Sequence, residues 1–195
     1  MYKKKGCKNS RAFETGKGIA LGAVLASTLM LSPVALANDY AQACGIDSLG
    51  DEPSSKLVIG QKETFYSSAA NLNFRSRIDT GATRTSIHAT NIEIEDFSPD
   101  AEENVGKIVN FITANELGET VHMREKITHV RQIHNSLGSE MRYSIQLDLS
   151  LDDRAYSVEV NLKDRSLMSD KLLIGRNLLS CNYVVDVSKA SVYGV

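Results

Sequence analysis

An all-β, barrel-like domain is the fold class that this chain of 195 residues predicts, and three patterns predict it. Residues 143–149 and 156–162 alternate apolar and polar side chains, the period of a strand buried on one face. Residues 107–113 and 120–127 flank Asn115-Glu116-Leu117-Gly118, whose asparagine and glycine suit a hairpin turn. Short apolar runs punctuated by turn residues recur from Lys56 onward, as many-stranded barrels and sandwiches require.

The first 37 residues stand apart from that pattern. Lys3, Lys4, Lys5, Lys8, Arg11 and Lys17 form a basic leader, and residues 19–31 are a run of apolar and small side chains. Pro33 then precedes Ala35-Leu36-Ala37, a small-x-small cleavage site, so residues 1–37 are expected to be a secretory signal peptide. The run is short for a membrane span; an uncleaved anchor is the alternative. A periplasmic or secreted protein beginning at Asn38 is therefore expected. Residues 38–55 are polar and turn-rich and read as a flexible linker, which leaves 56–195 as the folded domain.

Within that domain Leu57–Ile59 is a short apolar strand and Leu72–Ile78 a longer one that ends at turn residues. Residues 87–94 alternate in part. The hairpin follows, then the two alternating strands with Asp152-Asp153 as their turn. Leu172–Ile174 reads as a short buried strand, 177–180 as one helical turn, and 183–187 and 191–193 as closing strands.

The leader holds six of the 22 basic residues and one of the 24 acidic ones, so 16 and 23 remain after it, a net charge of −7 with histidine neutral. An acidic chain without a basic stripe argues against nucleic acid or an anionic membrane as partner. The 158 residues left are enough to bury a core as one domain. Cys7 belongs to the leader. Cys44 and Cys181 either pair in an oxidising compartment or remain thiols.

The chemistry sits in two motifs. An apolar strand running into Asp79-Thr80-Gly81-Ala82 presents one carboxylate on a tight glycine turn; about a hundred residues later Leu172–Ile174 runs into Gly175-Arg176-Asn177 and more apolar residues. In this order they resemble the two hallmarks of the retropepsin-like fold, and residues 140–181 resemble the second half of a retroviral-type aspartic protease strand by strand. Asp79-Thr80-Gly81-Ala82 followed by Ile87-His88-Ala89 is similar to a bacterial family first labelled ATP-dependent zinc proteases and now described as retropepsin-like aspartic endopeptidases. The resemblance covers about residues 56–194.

It implies an all-β, retropepsin-like acid-protease barrel with one Asp-Thr-Gly lobe per chain. Asp79 is then the catalytic carboxylate, Thr80 braces the turn through its hydroxyl, Gly81 lets substrate approach the backbone, and Ala82 touches substrate. One such motif per chain implies a homodimer whose paired Asp79 carboxylates share a proton and activate water. A lid is expected just before Glu140, bringing Asn135, Ser136 and Gly138 onto the substrate. Retropepsins pair the arginine of the second motif with an acidic residue two places after the glycine; here that place is Thr83, so the partner of Arg176 is open. Family members often sit beside ATP-grasp ligases that add glutamate, which implies a functional link to such a system.

No cofactor is expected. There is no His-Glu-x-x-His, and His88, His122, His129 and His134 fall at no metal-ligand spacing. Two other readings stand beside the enzyme. A catalytically quiet binding or accessory module of an envelope or peptide-modifying system would share the fold, and Asp79 could simply be a turn aspartate bonded to its own backbone.

Overall fold

The computed structural model describes residues 55–135 and 138–194. The expected signal peptide, nearly all of the linker, Cys44 and the lid residue Ser136 lie outside the described residues. These contain eleven strands: β1 (Leu57–Ile59), β2 (Lys62–Ser67), β3 (Leu72–Ile78), β4 (Thr85–His88), β5 (Thr90–Ile94), β6 (Ile108–Ala114), β7 (Thr120–Asn135), β8 (Gly138–Leu151), β9 (Arg154–Lys163), β10 (Leu172–Ile174) and β11 (Tyr183–Val185). A single α-helix, α1 (Arg176–Asn182), follows β10.

Nine strands lie in the order β2-β3-β10-β4-β9-β8-β7-β6-β5. β2 also pairs with β8, through Tyr66 with Ser150 and Ser67 with Leu149. That second pairing closes β2, β3, β10, β4, β9 and β8 into a barrel, as the all-β expectation requires, and leaves β7, β6 and β5 as an attached wing. β1 and β11 form a separate parallel pair.

The barrel closes because alternation supplies an apolar inner face. On β8, Ile145, Leu147, Leu149 and Leu151 are buried while Gln146 and Asp148 are exposed; on β9, Val158, Val160 and Leu162 point the same way. Phe65 and Phe74, paired across β2 and β3, fill the other side. Each such side chain contributes about 1.5–3 kcal/mol by leaving water. The turn after β8 falls at Asp152, where one was expected; the turn before β3 was not expected. Asp152 takes a φ of 53° between β8 and β9, and Asn71 takes 50° between β2 and β3; short polar side chains tolerate this left-handed region.

Four elements differ from the sequence expectation. Residues 87–94 divide into β4 and β5, because β4 pairs with β9 whereas β5 pairs with β6. β7 does not stop at 127 but continues to Asn135, leaving β6 and taking β8 as its neighbour after a register shift between Ile127 and His129. β2 escapes the apolar pattern because two of its buried positions, Glu63 and Ser67, are polar. Residues 191–193 form no strand. Their donors go to the buried Glu63 carboxylate, from Ser191 Oγ at 2.8 Å, Val192 N at 2.9 Å and Tyr193 N at 3.0 Å, with Gly60 N at 2.7 Å completing the set. The tail lies so close that a Cβ on Gly60 would sit 2.7 Å from Ser191 Cα. The expected helical turn is present and longer, and Cys181 within it is disulfide-bonded.

Candidate active site

The two motifs meet because β10 inserts between β3 and β4. It runs parallel to β3, with Ile174 opposite Ile78, and antiparallel to β4, with Leu172 opposite Ile87. Asp79 therefore begins its turn against the end of β10, and its N–H donates to the Ile174 carbonyl at 3.0 Å. Asp79 Oδ1 accepts from Gly81 N at 2.9 Å and Ala82 N at 3.1 Å. Oδ2 accepts no hydrogen bond among the described residues. One carboxylate oxygen is thus fixed by the backbone and the other is left open, so the turn-aspartate bonds do not use up the carboxylate.

Gly175-Arg176-Asn177 is the scaffold of that turn. A Cβ on Gly175 would sit 2.4 Å from the carbonyl carbon and 2.6 Å from the carbonyl oxygen of Arg84, so no side chain fits there. Arg176 N donates to Ala82 O at 2.9 Å, and its guanidinium reaches Thr80 O at 3.2 Å, Gly81 O at 3.1 Å and Thr83 Oγ1 at 3.2 Å. The partner left open by Thr83 is therefore a set of neutral oxygens. Thr80 takes part through its carbonyl, and its hydroxyl makes no hydrogen bond among the described residues. Asn177 Oδ1 accepts from both Thr85 N at 2.8 Å and Thr85 Oγ1 at 2.9 Å, while its Nδ2 donates to Glu159 O at 2.8 Å. Turn, β4 and β9 are locked together.

A cleft of about 950 Å³ opens beside the turn, with Gly81, Ala82 and Thr83 in its wall. The stem of the β7–β8 hairpin faces it through Val130, Arg131, Gln132, Ile133 and Arg142. Of the expected lid residues, Ser136 and the side chain of Asn135 lie outside what is described. Gly138 is exposed and lies away from the cleft, and Asn135 is placed only as its backbone partner at the end of β7. The hairpin contributes its stem because both strands are long enough for their middle to pass the cleft.

Among the described residues the lining carries six cations, Arg77, Arg84, Arg131, Arg142, Lys163 and Arg165, and no aspartate or glutamate. Arg131 is held by Glu159 through two hydrogen bonds of 2.7 and 3.0 Å. Burial pushes the Glu159 carboxyl up, but Arg131, His129 and Arg84 outweigh this and hold it below the usual range. Glu140 pairs with both Arg142 and Lys163. Arg77, Arg84 and Arg165 have no ion-pair partner among the described residues. Sequence reasoning did not bring these six cations together at one site. They come from separate strands of an acidic chain, so no local run of basic residues marks them.

His88 is buried under the cleft. Its Nδ1 accepts the main-chain N–H of Arg165 at 3.0 Å, with Asp164 3.8 Å away. Burial and the Lys171 charge lower its pKa, against the pull of Asp164, so the ring is held neutral. Among the described residues no three histidine, cysteine or acidic side chains gather as a metal site.

Residues 58–194 match the family model described as retropepsin-like aspartic endopeptidase RimB. A protein named probable alpha-L-glutamate ligase from Desulfotalea psychrophila is 31% identical over 136 residues, which cover 68% of this chain and 28% of that protein. Its namesake from Shewanella pealeana is 32% identical over 142 residues, 72% of this chain and 30% of that protein. The chain thus spans less than a third of the length of these curated relatives. A solved structure of a protein of unknown function from Legionella pneumophila superposes with a TM-score of 0.56 at 24% identity, covering 69% of this chain and 96% of that one, a likeness of fold. With the barrel, the Asp79 turn and its Gly175-Arg176-Asn177 scaffold in place, the match over residues 58–194 makes this chain a member of the RimB-like family of retropepsin-like aspartic endopeptidases.

Proposed function

We propose that this chain is an aspartic endopeptidase that works as a homodimer and cleaves acidic peptides. The observation that carries the reading is the Asp79 turn at the rim of a cleft lined, among the described residues, by six cations and no carboxylate. Two Asp79 side chains brought together share one proton, since two carboxylates that close do not both ionise. The ionised one takes a proton from water as the water oxygen attacks the scissile carbonyl carbon, and the protonated one gives its proton to the carbonyl oxygen. Collapse of the tetrahedral intermediate breaks the C–N bond, with a proton passing to the leaving amine. No covalent intermediate forms and no cofactor takes part.

The cationic cleft in a chain of net negative charge reverses the local sign and attracts anionic segments, more strongly at low salt. Relatives named probable alpha-L-glutamate ligase contain a region like this chain within a longer protein. Their name supports glutamate as the acidic residue and a glutamate-ligase system as functional partner. The leader at residues 1–37 supports export, with cleavage before Asn38.

A quiet binding module is the second reading, favoured by the loss of an acidic partner for Arg176 at Thr83. Fluorogenic glutamate-rich and lysine-rich peptides, offered to the wild type and to Asp79→Asn, separate the two. An endopeptidase cleaves the glutamate-rich peptide and loses about 10²–10⁴-fold in rate on Asp79→Asn, the range of a lost acid–base group. Two intact peptides, with the acidic one bound equally by both proteins, would establish the binding module.

A further inference from the structure

We propose that Arg165 is the specificity-determining residue of the cleft, the group that binds a substrate side-chain carboxylate, and that His88 positions it. This rests on the reading of the cleft as a site for acidic peptides.

Arg165 follows β9, lines the cleft and is only 7% exposed. Its main-chain N–H is held by His88 Nδ1. Its guanidinium is held by two neutral acceptors, Nε to the Asp170 carbonyl at 3.1 Å and Nη1 to Ser86 Oγ at 3.2 Å. The Asp170 carboxylate, which lies in the same loop, is turned away to Arg75 at 2.7 Å and Lys62 at 3.2 Å. A buried cation normally has a carboxylate against it, because removing a charge from water is expensive. This one has none within ion-pair distance among the described residues. Among the described residues its Nη2 makes no hydrogen bond, and it is not one of the buried atoms left without a partner, so Nη2 keeps contact with solvent.

The other cations are less suited to read a side chain. Arg131 is occupied by Glu159, and Arg142 and Lys163 share Glu140. Arg77 is exposed and Arg84 half-exposed, so their fields are screened by water and salt. Arg165 is fixed on three sides, sheltered, and presents unused donors from a rigid planar fork. Burial pulls its pKa down, whereas the charges of Asp170 and Asp79 support the cation. A substrate carboxylate supplies the missing counter-charge where a neutral amide cannot.

The test uses two fluorogenic peptides that differ only by glutamate or glutamine at the residues flanking the cleaved bond, with the full-length chain. The wild type is expected to favour the glutamate peptide by about 30-fold or more in kcat/KM, the scale of a sheltered charge pair. Arg165→Gln should erase the preference by raising KM for the glutamate peptide about 30-fold more than for the glutamine peptide. Arg165→Lys should recover part of it. Equal loss on both peptides would show a merely structural residue, and a preference that survives would assign reading to the other cations; either result overturns the proposal. If Arg165→Gln does not fold, Arg165→Lys carries the test, and an unchanged preference in that variant overturns it. Anisotropy with labelled glutamate and glutamine peptides on Asp79→Asn, with and without Arg165→Gln, separates this claim from catalysis. Loss of affinity for the glutamate peptide alone, where the wild type cleaves neither peptide, keeps the carboxylate site and overturns the peptidase. Unchanged affinity overturns the site whatever the catalysis.

Discussion

Asp170→Asn should destabilise the barrel at neutral pH, and the loss should shrink in acid. The Asp170 carboxylate is 4% exposed and takes Arg75 Nε at 2.7 Å on one oxygen and Lys62 Nζ at 3.2 Å on the other. It ties the loop before β10 to β2 and β3. Breaking a fully buried pair costs about 3–5 kcal/mol, whereas a surface pair contributes about 0–1 kcal/mol. Here the anion is buried and each cation is about one-third exposed, at 32% and 34%, so the expected loss lies between, roughly 2–3 kcal/mol. Burial alone would push the Asp170 carboxyl up; the hydrogen bonds and charges of Arg75 and Lys62 outweigh it and set the folded pKa below the ordinary value. A depressed carboxyl stabilises the fold above the unfolded pKa, about 4, and that contribution fades as pH falls through the lower folded pKa. Urea unfolding of both proteins at pH 7 and near pH 2 tests this. The gap at neutral pH should narrow in acid, as the wild-type carboxyl takes up a proton and comes to resemble the amide. A gap equally large at both pH values would refute the electrostatic argument and leave a packing effect.

Two further outcomes follow from the same geometry. Gly175→Ala should lower stability by about 1–3 kcal/mol or more, because its methyl meets the Arg84 backbone, and activity should fall with it as the Asp79 turn shifts; thermal melts and peptide cleavage read both. His88→Asn should remove a pH dependence of stability. His88 is held neutral by burial, so its contribution is full above about pH 6.5 and shrinks as pH falls below it. An asparagine oxygen can still accept the Arg165 N–H, so melting curves at pH 8 and 5.5 should lie closer together in the variant than in the wild type.

Several features of this protein were readable from residues in a line. Strand alternation depends on neighbours two apart, so β8, β9 and the turn at Asp152 were legible. The Asp79 turn is closed by Gly81 and Ala82, two and three residues away, and the need for glycine at 175 comes with its motif. The strand at 62–67 and the non-strand at 191–193 were not legible, because both follow from one buried carboxylate at Glu63 that draws donors from a tail about 130 residues distant. The partner of Arg176 likewise required three-dimensional knowledge, since carbonyl dipoles leave no trace in side-chain identity. The character of the cleft was hidden most completely. Six cations from β3, the approach to β4, β7, β8, β9 and the loop after it converge there, although residues 38–195 carry a net charge of −7. Composition averages over the whole surface, whereas an electrostatic site depends on which few charges the barrel brings together and which of them it leaves without a counter-charge.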